Sequence, residues 1–125
     1  MRDYESGSAS EPIPSIDVRR VDHENAVVLA VAGEVDLSNA TQLGAIFEHV
    51  RQDNPPVLII DLSQVTFLGS AGLNLLVELC DRAGDGRVRI AALSTSARRA
   101  IEVTALDQVL PLYSTVDDAL ETNLA

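Results

Sequence analysis

The sequence contains no lysine, because all 9 of its Lys+Arg residues are Arg. A P-loop needs a Lys that reaches the nucleotide phosphates, and Schiff-base chemistry needs a Lys amine, so both are excluded. Codon bias in the source genome is the ordinary explanation for the missing lysine. The two exclusions are valid whatever its cause. Aromatic residues make up only 3% and Trp is missing, so the core has to be built from aliphatic side chains.

Positive charge and cysteine are also scarce. The 125 residues carry a formal net charge of -10, whereas nucleic acids and anionic membranes are bound through clustered cations. A basic protein surface is a better match for this charge. Cys80 is the single cysteine, which excludes an intrachain disulfide and fits a reducing compartment. Without the apolar segment of a signal peptide or of a membrane span, the sequence predicts a cytoplasmic protein.

Hydrophobic periodicity predicts a polar tail over residues 1–14 and one domain over residues 15–125. Apolar runs and alternating segments predict five strands: Ile16–Arg20, Ala26–Ala32, Val57–Ile60, Val88–Ala92 and Val109–Tyr113. Strands that alternate with helices predict an α/β fold, with a mixed and mostly parallel sheet covered by helices. The predicted order is β-β-α-β-α-β-α-β-α.

Apolar residues at helical spacing predict the four helices, and suitable capping residues stand at their starts: Ser38 or Asn39, Ser70, Ser94–Ser96, and Thr115 with Asp118. The third helix is predicted to face inward with Ala97, Ala100, Ile101 and Thr104, and the last with Val116, Ala119, Leu120 and Leu124. In the fourth strand, Arg89 alternates with apolar residues, so it is predicted to lie on the polar face of the sheet.

Two loops should carry the function, because functional loops of parallel sheets gather at the carboxyl ends of the strands. They are Gly33–Leu37 and Asp61–Leu73, and each follows a strongly apolar strand. If the loops meet, Glu34, Asp36 and Asp61 surround Ser70 with negative charge.

Known catalytic patterns fit these loops poorly. Leu68-Gly69-Ser70-Ala71-Gly72 differs from the nucleophile elbow of α/β-hydrolases at its first position, and both histidines, His23 and His49, precede Ser70, whereas the hydrolase order places His after Ser. Asp61 resembles the acceptor of a receiver domain, but that site uses a Lys. No cluster has the spacing of a metal site. The sequence gives equally little support to a nucleotide-binding enzyme. The chain is therefore expected to have no enzymatic activity and to bind no cofactor.

Ser70 is then interpreted as a helix cap and as a modification site, two compatible roles. A phosphoryl group at the start of a helix adds about -1.5 to -2 charges at pH 7 and meets free backbone N–H groups. On a surface that is already acidic, it would act as a charge switch.

The segment Asp61-Leu62-Ser63-Gln64-Val65-Thr66-Phe67-Leu68-Gly69-Ser70-Ala71-Gly72-Leu73 resembles the signature of the STAS domain, which bacterial anti-sigma factor antagonists share with sulfate transporter tails. Gly33–Leu37 is similar to the loop after the family's second strand. The resemblance implies partner switching. The unmodified protein binds an anti-sigma factor that is often a serine kinase, phosphorylation at the position of Ser70 weakens the complex, and a metal-dependent phosphatase restores it.

Two positions depart from the family's usual pattern. Gly69 replaces an Asp, which removes a carboxylate from kinase recognition, and Ala71 replaces a second Ser, which leaves Ser70 as the acceptor. A STAS-type scaffold subunit that is never phosphorylated is the alternative. The resemblance and the loop positions assign Ser70 to phosphorylation. They assign the partner surface to Glu34, Asp36, Asp61, Ser63, Gly69, Ala71 and Gly72.

Overall fold

The computed structural model describes residues 16–84, 86–91 and 93–121, so the predicted tail over 1–14, Ala92 and Leu124 lie outside the described residues. Its strands form one sheet in the order β1-β2-β3-β4-β5. Their bounds are Ile16–Asp22, Ala26–Val35, Val57–Leu68, Val88–Ala91 and Leu112–Tyr113. β1 pairs antiparallel with β2, and the remaining neighbouring strands all pair in parallel. This confirms the predicted mixed, mostly parallel sheet.

In the part of the chain that the structure describes, four α-helices alternate with the strands in the predicted order. They are α1 (Ala40–Gln52), α2 (Ser70–Ala83), α3 (Thr95–Val103) and α4 (Val116–Glu121), with a 3₁₀ turn at Leu106–Gln108. The caps of the third and fourth helices are confirmed, because the backbone N–H of Ala97 donates to Ser94 Oγ (3.1 Å) and that of Asp118 donates to Thr115 Oγ1 (2.9 Å). The β-β-α-β-α-β-α-β-α order is therefore the observed one.

Helices cover both faces of the sheet, which explains the continuous apolar strands. On one face, Leu29, Ile60 and Ile90 pack against α1, α2 and α3 in the main core. On the other, Val28 and Ile59 pack with Ala119 of α4 in a smaller cluster. Consecutive residues of β2 and β3 are therefore buried on alternate faces.

β2 and β3 are longer than their apolar runs predicted. β2 was expected to end before Gly33 and β3 at Ile60, but the ladder continues to the pair Val35↔Leu68, with two register shifts on the way. Polar residues interrupt the apolar pattern in this extension, while Leu62, Val65 and Leu68 of β3 and Val35 of β2 still reach the core. Backbone pairing therefore carries both strands beyond the point at which hydrophobicity indicated their ends.

Three predictions in the last third of the chain are wrong. Arg89 is only 2% exposed, because α4 covers the polar side of β4. Its guanidinium donates to the Ala119 carbonyl and lies 5.4 Å from the centre of the Tyr113 ring. Thr104 is exposed, since its hydroxyl already donates to the Ala100 carbonyl of its own helix at 2.9 Å. The fifth strand is shortened to two residues by the 3₁₀ turn.

Candidate functional site

The junction between β3 and α2 carries the predicted acceptor, Ser70. The Gly69 N–H donates to the Val35 carbonyl (2.9 Å), and α2 begins at the next residue, with Leu73 N–H donating to the Gly69 carbonyl (3.0 Å). Gly69 is therefore the N-cap and Ser70 the first helical residue, so the prediction of Ser70 as the cap is wrong by one position. Ser70 is exposed, and it belongs to the first turn of α2, whose backbone N–H groups have no intrahelical acceptors.

Close packing holds this junction in place. A Cβ atom at Gly72 would lie 2.7 Å from both Leu68 Cδ1 and Val35 Cγ1, so only glycine lets α2 lie directly on the ends of β2 and β3. Gly72 is buried and acts in packing. At Gly69 a Cβ would lie 3.1 Å from Phe67 Cε2, so the family's usual Asp would compete with the Phe67 ring for space.

The loop between β2 and α1 lies beside this junction and is held by one buried amide. Asn39 Nδ2 donates to the Glu34 carbonyl (2.8 Å), and its Oδ1 accepts from Asp36 N–H (3.0 Å). Asp36 Oδ1 in turn accepts from the backbone N–H (2.9 Å) and hydroxyl (2.6 Å) of Ser38. Asn39 occupies the N-cap position of α1 but makes no capping hydrogen bond with its side chain. The loop therefore presents its acidic residues from a fixed backbone.

The structure separates the predicted site residues into two groups. Glu34 pairs with Phe67 in the register, so the β2 loop and the start of α2 meet at the carboxyl edge of the sheet. Asp61 pairs instead with Ala91 and Ala30, seven residues before the end of β3, and its carboxylate accepts from the Ser63 N–H (2.9 Å). Asp61 and Ser63 therefore do not surround Ser70.

A groove of about 450 Å³ opens beside Ser70 between the end of β3, the start of α2 and α3. α3 is anchored there because Ser94 Oγ donates to the Val65 carbonyl (2.6 Å) and Ser94 N–H donates to the Leu62 carbonyl (3.1 Å). The groove is lined by Thr66, Phe67, Leu68, Ser70, Leu73, Ser96, Arg99, Ala100, Val103 and Thr104. Phe67 and Val103 are 51% and 78% exposed, so two large apolar side chains face solvent at its rim.

Arg99 is the one ionisable side chain among these lining residues, and it forms no ion pair with any residue that the structure describes. Within the described ranges, no three His, Cys, Asp or Glu side chains come close enough to share a metal ion. In the same part of the chain, no helix is both long and apolar enough to cross a membrane. The arrangement can present a serine hydroxyl, apolar side chains and one cation to another protein.

Residues 17–119 match the model of the STAS domain. The chain belongs to the STAS domain family. It is 40% identical over 107 residues to the anti-sigma-F factor antagonist RsfB of Mycobacterium tuberculosis, a match that covers 85% of this chain and 88% of the relative. The crystal structure of an anti-sigma factor antagonist from Mycobacterium paratuberculosis superposes with a TM-score of 0.79 at 41% identity, over 85% of this chain and 92% of the other.

A solved structure of lower sequence identity extends the likeness of fold. The Bacillus cell fate determinant SpoIIAA, solved in its phosphorylated form, superposes with a TM-score of 0.59 at 18% identity, over 82% of this chain and 96% of that protein.

Sequence reasoning assigned no site role to four residues of this STAS domain: Asn39, Phe67, Arg99 and the rim residue Val103. Phe67 and Arg99 line the groove, and Asn39 holds the acidic loop. Phe67 carried a usable signal, because it is one of only 2 Phe in the chain and directly precedes the signature's glycine and serine. Arg99 carried none, since its place beside Ser70 depends on how α3 packs against the end of β3.

Proposed function

We propose that this protein is an anti-sigma factor antagonist that binds an anti-sigma factor through the carboxyl edge of its sheet and is released when Ser70 is phosphorylated. The observation that carries the proposal is the position of Ser70, the exposed first residue of α2, between a rigid acidic loop and an apolar groove. Relatives at about 40% identity over most of both chains bear the name of such antagonists.

The contact surface comprises the exposed parts of the two loops and the groove rim. The β2 loop contributes the exposed residues Glu34 and Leu37. The groove rim contributes Phe67, which is in register with Glu34, and Val103. Asp36 and the partly buried Gly69 and Ala71 support this surface from beneath. Asp61, Ser63 and Gly72 are left out of it, because the first two lie farther down β3 and the third is buried.

The switch requires one phosphoryl transfer in each direction. Ser70 Oγ attacks the γ-phosphorus of ATP in the partner kinase, the bond from that phosphorus to the oxygen of the leaving ADP breaks, and the hydroxyl proton passes to a base or to solvent. A phosphatase hydrolyses the ester with water, which returns serine and inorganic phosphate. The chain itself contributes an accessible hydroxyl and acts as a substrate, not as an enzyme. An exchange that governs a sigma factor takes place in the cytoplasm, the location that the sequence also predicts.

Phosphorylation weakens binding because it adds negative charge to an acidic surface. Glu34 and Asp36 lie beside Ser70, so a partner that matches them presents cations or hydrogen-bond donors. A phosphate of about -1.5 to -2 charges changes the balance of charge at the centre of the contact and introduces a group that needs its own solvation or partner.

A pull-down tests the proposal directly. Tagged wild-type protein and the variants Ser70→Glu and Ser70→Ala serve as baits in lysate of the source organism, and the retained proteins are identified by mass spectrometry. We expect the wild type and Ser70→Ala to retain an anti-sigma factor and Ser70→Glu to lose it. Ser63→Glu is the matched control, because it places the same charge on an exposed serine of β3 away from the junction.

Incubation with the retained kinase and ATP then tests the modification itself. Phosphate is expected on Ser70 alone, and Ser70→Ala should remain unmodified. Retention of the same proteins by Ser70→Glu and by wild type, with no phosphate on Ser70, would contradict the switch. Assembly of the wild type with other STAS domains in light scattering would then support a scaffold subunit.

A further inference from the structure

The groove beside Ser70 contains a cation whose role packing does not explain. Arg99 is exposed on α3, lines the groove together with Ser70, and makes no ion pair within the described part of the chain. The other lining residues carry no charge. In a chain with a formal net charge of -10, an arginine that forms no ion pair with a described residue at this place is available to an anion.

The β2 loop, whose Glu34 is in register with Phe67 at the groove rim, carries negative charge. Glu34 is exposed at the end of β2, and Asp36 belongs to the loop that the Asn39 side chain holds. A phosphoryl group on Ser70 is therefore repelled from the β2 loop and attracted toward the groove.

We propose that Arg99 is the internal partner of a phosphoryl group on Ser70, and that their ion pair draws the phosphate into the mouth of the groove. The inference rests on the proposed phosphorylation of Ser70. A guanidinium presents paired N–H donors that match two phosphate oxygens, so this pair has good geometry as well as opposite charge. The Ser96 hydroxyl lines the same groove and adds a neutral donor.

This pairing gives phosphorylation a second effect beyond repulsion. A phosphate held by Arg99 occupies the opening between Phe67 and Val103, the two exposed apolar side chains at the groove rim. A partner side chain that enters this groove in the unmodified protein meets a hydrated, charged group in the modified one. Phosphorylation of Ser70 therefore covers an apolar surface and also changes the charge of the contact.

The test uses full-length protein with phosphoserine placed at position 70 during translation, so that no kinase is needed. Phosphorus NMR titration at low ionic strength gives the second pKa of the phosphoserine, which is ordinarily about 6. We expect Arg99→Gln to raise this pKa by roughly 0.2 to 0.7, the range that corresponds to exposed ion pairs. The rise should shrink in high salt, because salt screens exposed charges.

Arg98→Gln is the matched control. Arg98 is the preceding residue of α3, is exposed, and does not line the groove. It points roughly 100° away around the helix, and its replacement changes the net charge by the same amount. We expect it to leave the phosphoserine pKa nearly unchanged.

Equal pKa values for Arg99→Gln and the wild type, or equal rises in the two Arg variants, would overturn the pairing. Because both variants replace exposed side chains, circular dichroism should show the same fold for each. Since the titration involves no binding partner, a failure of the pairing is distinct from a failure of the antagonist function, which the pull-down measures.

Discussion

The two ends of the sheet differ in how their charges are paired. At the amino end of β2 and β3, Arg20 bonds to Asp22 (2.8 Å) and to Asp53 (2.9 Å). Nearby, Glu48 of α1 lies between Arg51 of the same helix (2.9 Å) and Arg82 of α2 (3.4 Å). At the carboxyl end, Glu34 and Arg99 form no ion pair with any described residue.

Exposed apolar residues are more numerous at the carboxyl end. There Leu37, Phe67 and Val103 are 85%, 51% and 78% exposed, and the last two line the groove with Ser70. Val21 (46%) and Val109 (66%) are the other exposed large apolar residues in the described part of the chain. The amino end uses its charges within the molecule, where exposed pairs contribute modestly to stability. The carboxyl end leaves charged and apolar groups available on a rigid backbone, which is typical of a surface that binds another protein. The comparison therefore supports the proposal that the carboxyl end binds the partner, while the paired charges at the amino end contribute to stability.

Replacing Phe67 should have the largest effect on binding. Phe67→Ala removes an exposed aromatic side chain from the centre of the proposed contact, and such residues often cost about 2 kcal/mol or more when truncated, roughly a 30-fold loss of affinity. Titration calorimetry with the protein that the wild type retains measures this loss. Val21→Ala is the control, because Val21 is similarly exposed (46%) but lies toward the amino end of β2. Equal losses of affinity in the two variants would show that the carboxyl end of the sheet is not the preferred binding surface.

Gly72→Ala tests whether packing supports the recognition end. The added methyl group would lie 2.7 Å from Val35 and Leu68, and overpacking of this kind costs about 1 to 3 kcal/mol of unfolding free energy. Gly44→Ala is the control, because its Cβ meets the terminal methyl of Leu75 at 2.9 Å, a flexible group, and alanine favours the helix. Urea unfolding should show a clear loss for Gly72→Ala and little change for Gly44→Ala. Equal stability of Gly72→Ala and the wild type would contradict the packing role.

The parts of the fold that were predictable depend on local patterns. The apolar runs Ala26–Ala32 and Val57–Ile60 identified buried strands, and their alternation with amphipathic segments indicated a mostly parallel sheet. Ser70 was predicted as the acceptor because its neighbours resemble a family signature. In each case neighbouring residues along the chain carry the information.

What was missed depends on contacts between distant segments. The extensions of β2 and β3 are held by pairing between the two strands, which their polar residues do not reveal. Arg89 alternates like a surface residue but is buried because α4 returns across that face. The groove exists only because α3 packs against the end of β3. The strand extensions, the burial of Arg89 and the groove all depend on tertiary contacts that local sequence patterns do not reveal.

Asn39→Ala should loosen the acidic loop with a smaller loss of stability. The substitution leaves the Glu34 carbonyl and the Asp36 N–H without their partner, which costs about 1 to 2 kcal/mol because the loop lies near water. Hydrogen exchange at the Asp36 amide should become faster in the variant. Ser38→Ala is the control, since it removes only an exposed hydroxyl from Asp36. An unchanged exchange rate in Asn39→Ala would show that the loop is held by other contacts.

Glu48→Gln and Glu34→Gln compare the two ends at single carboxylates and should give the smallest effects. The hydrogen bond from Arg51 holds the pKa of Glu48 below its usual 4.5, so its stabilisation is present above the pKa of the unfolded chain and is lost as the pH falls through the lower folded pKa. Glu48→Gln should therefore lower the unfolding free energy by about 0.2 to 1 kcal/mol at pH 7, and the difference from the wild type should vanish in acid. Glu34→Gln should cost nothing at either pH, because Glu34 makes no ion pair with a described residue, yet it should alter partner affinity. A stability loss in Glu34→Gln equal to that in Glu48→Gln would mean that the charges at the carboxyl end also serve the fold.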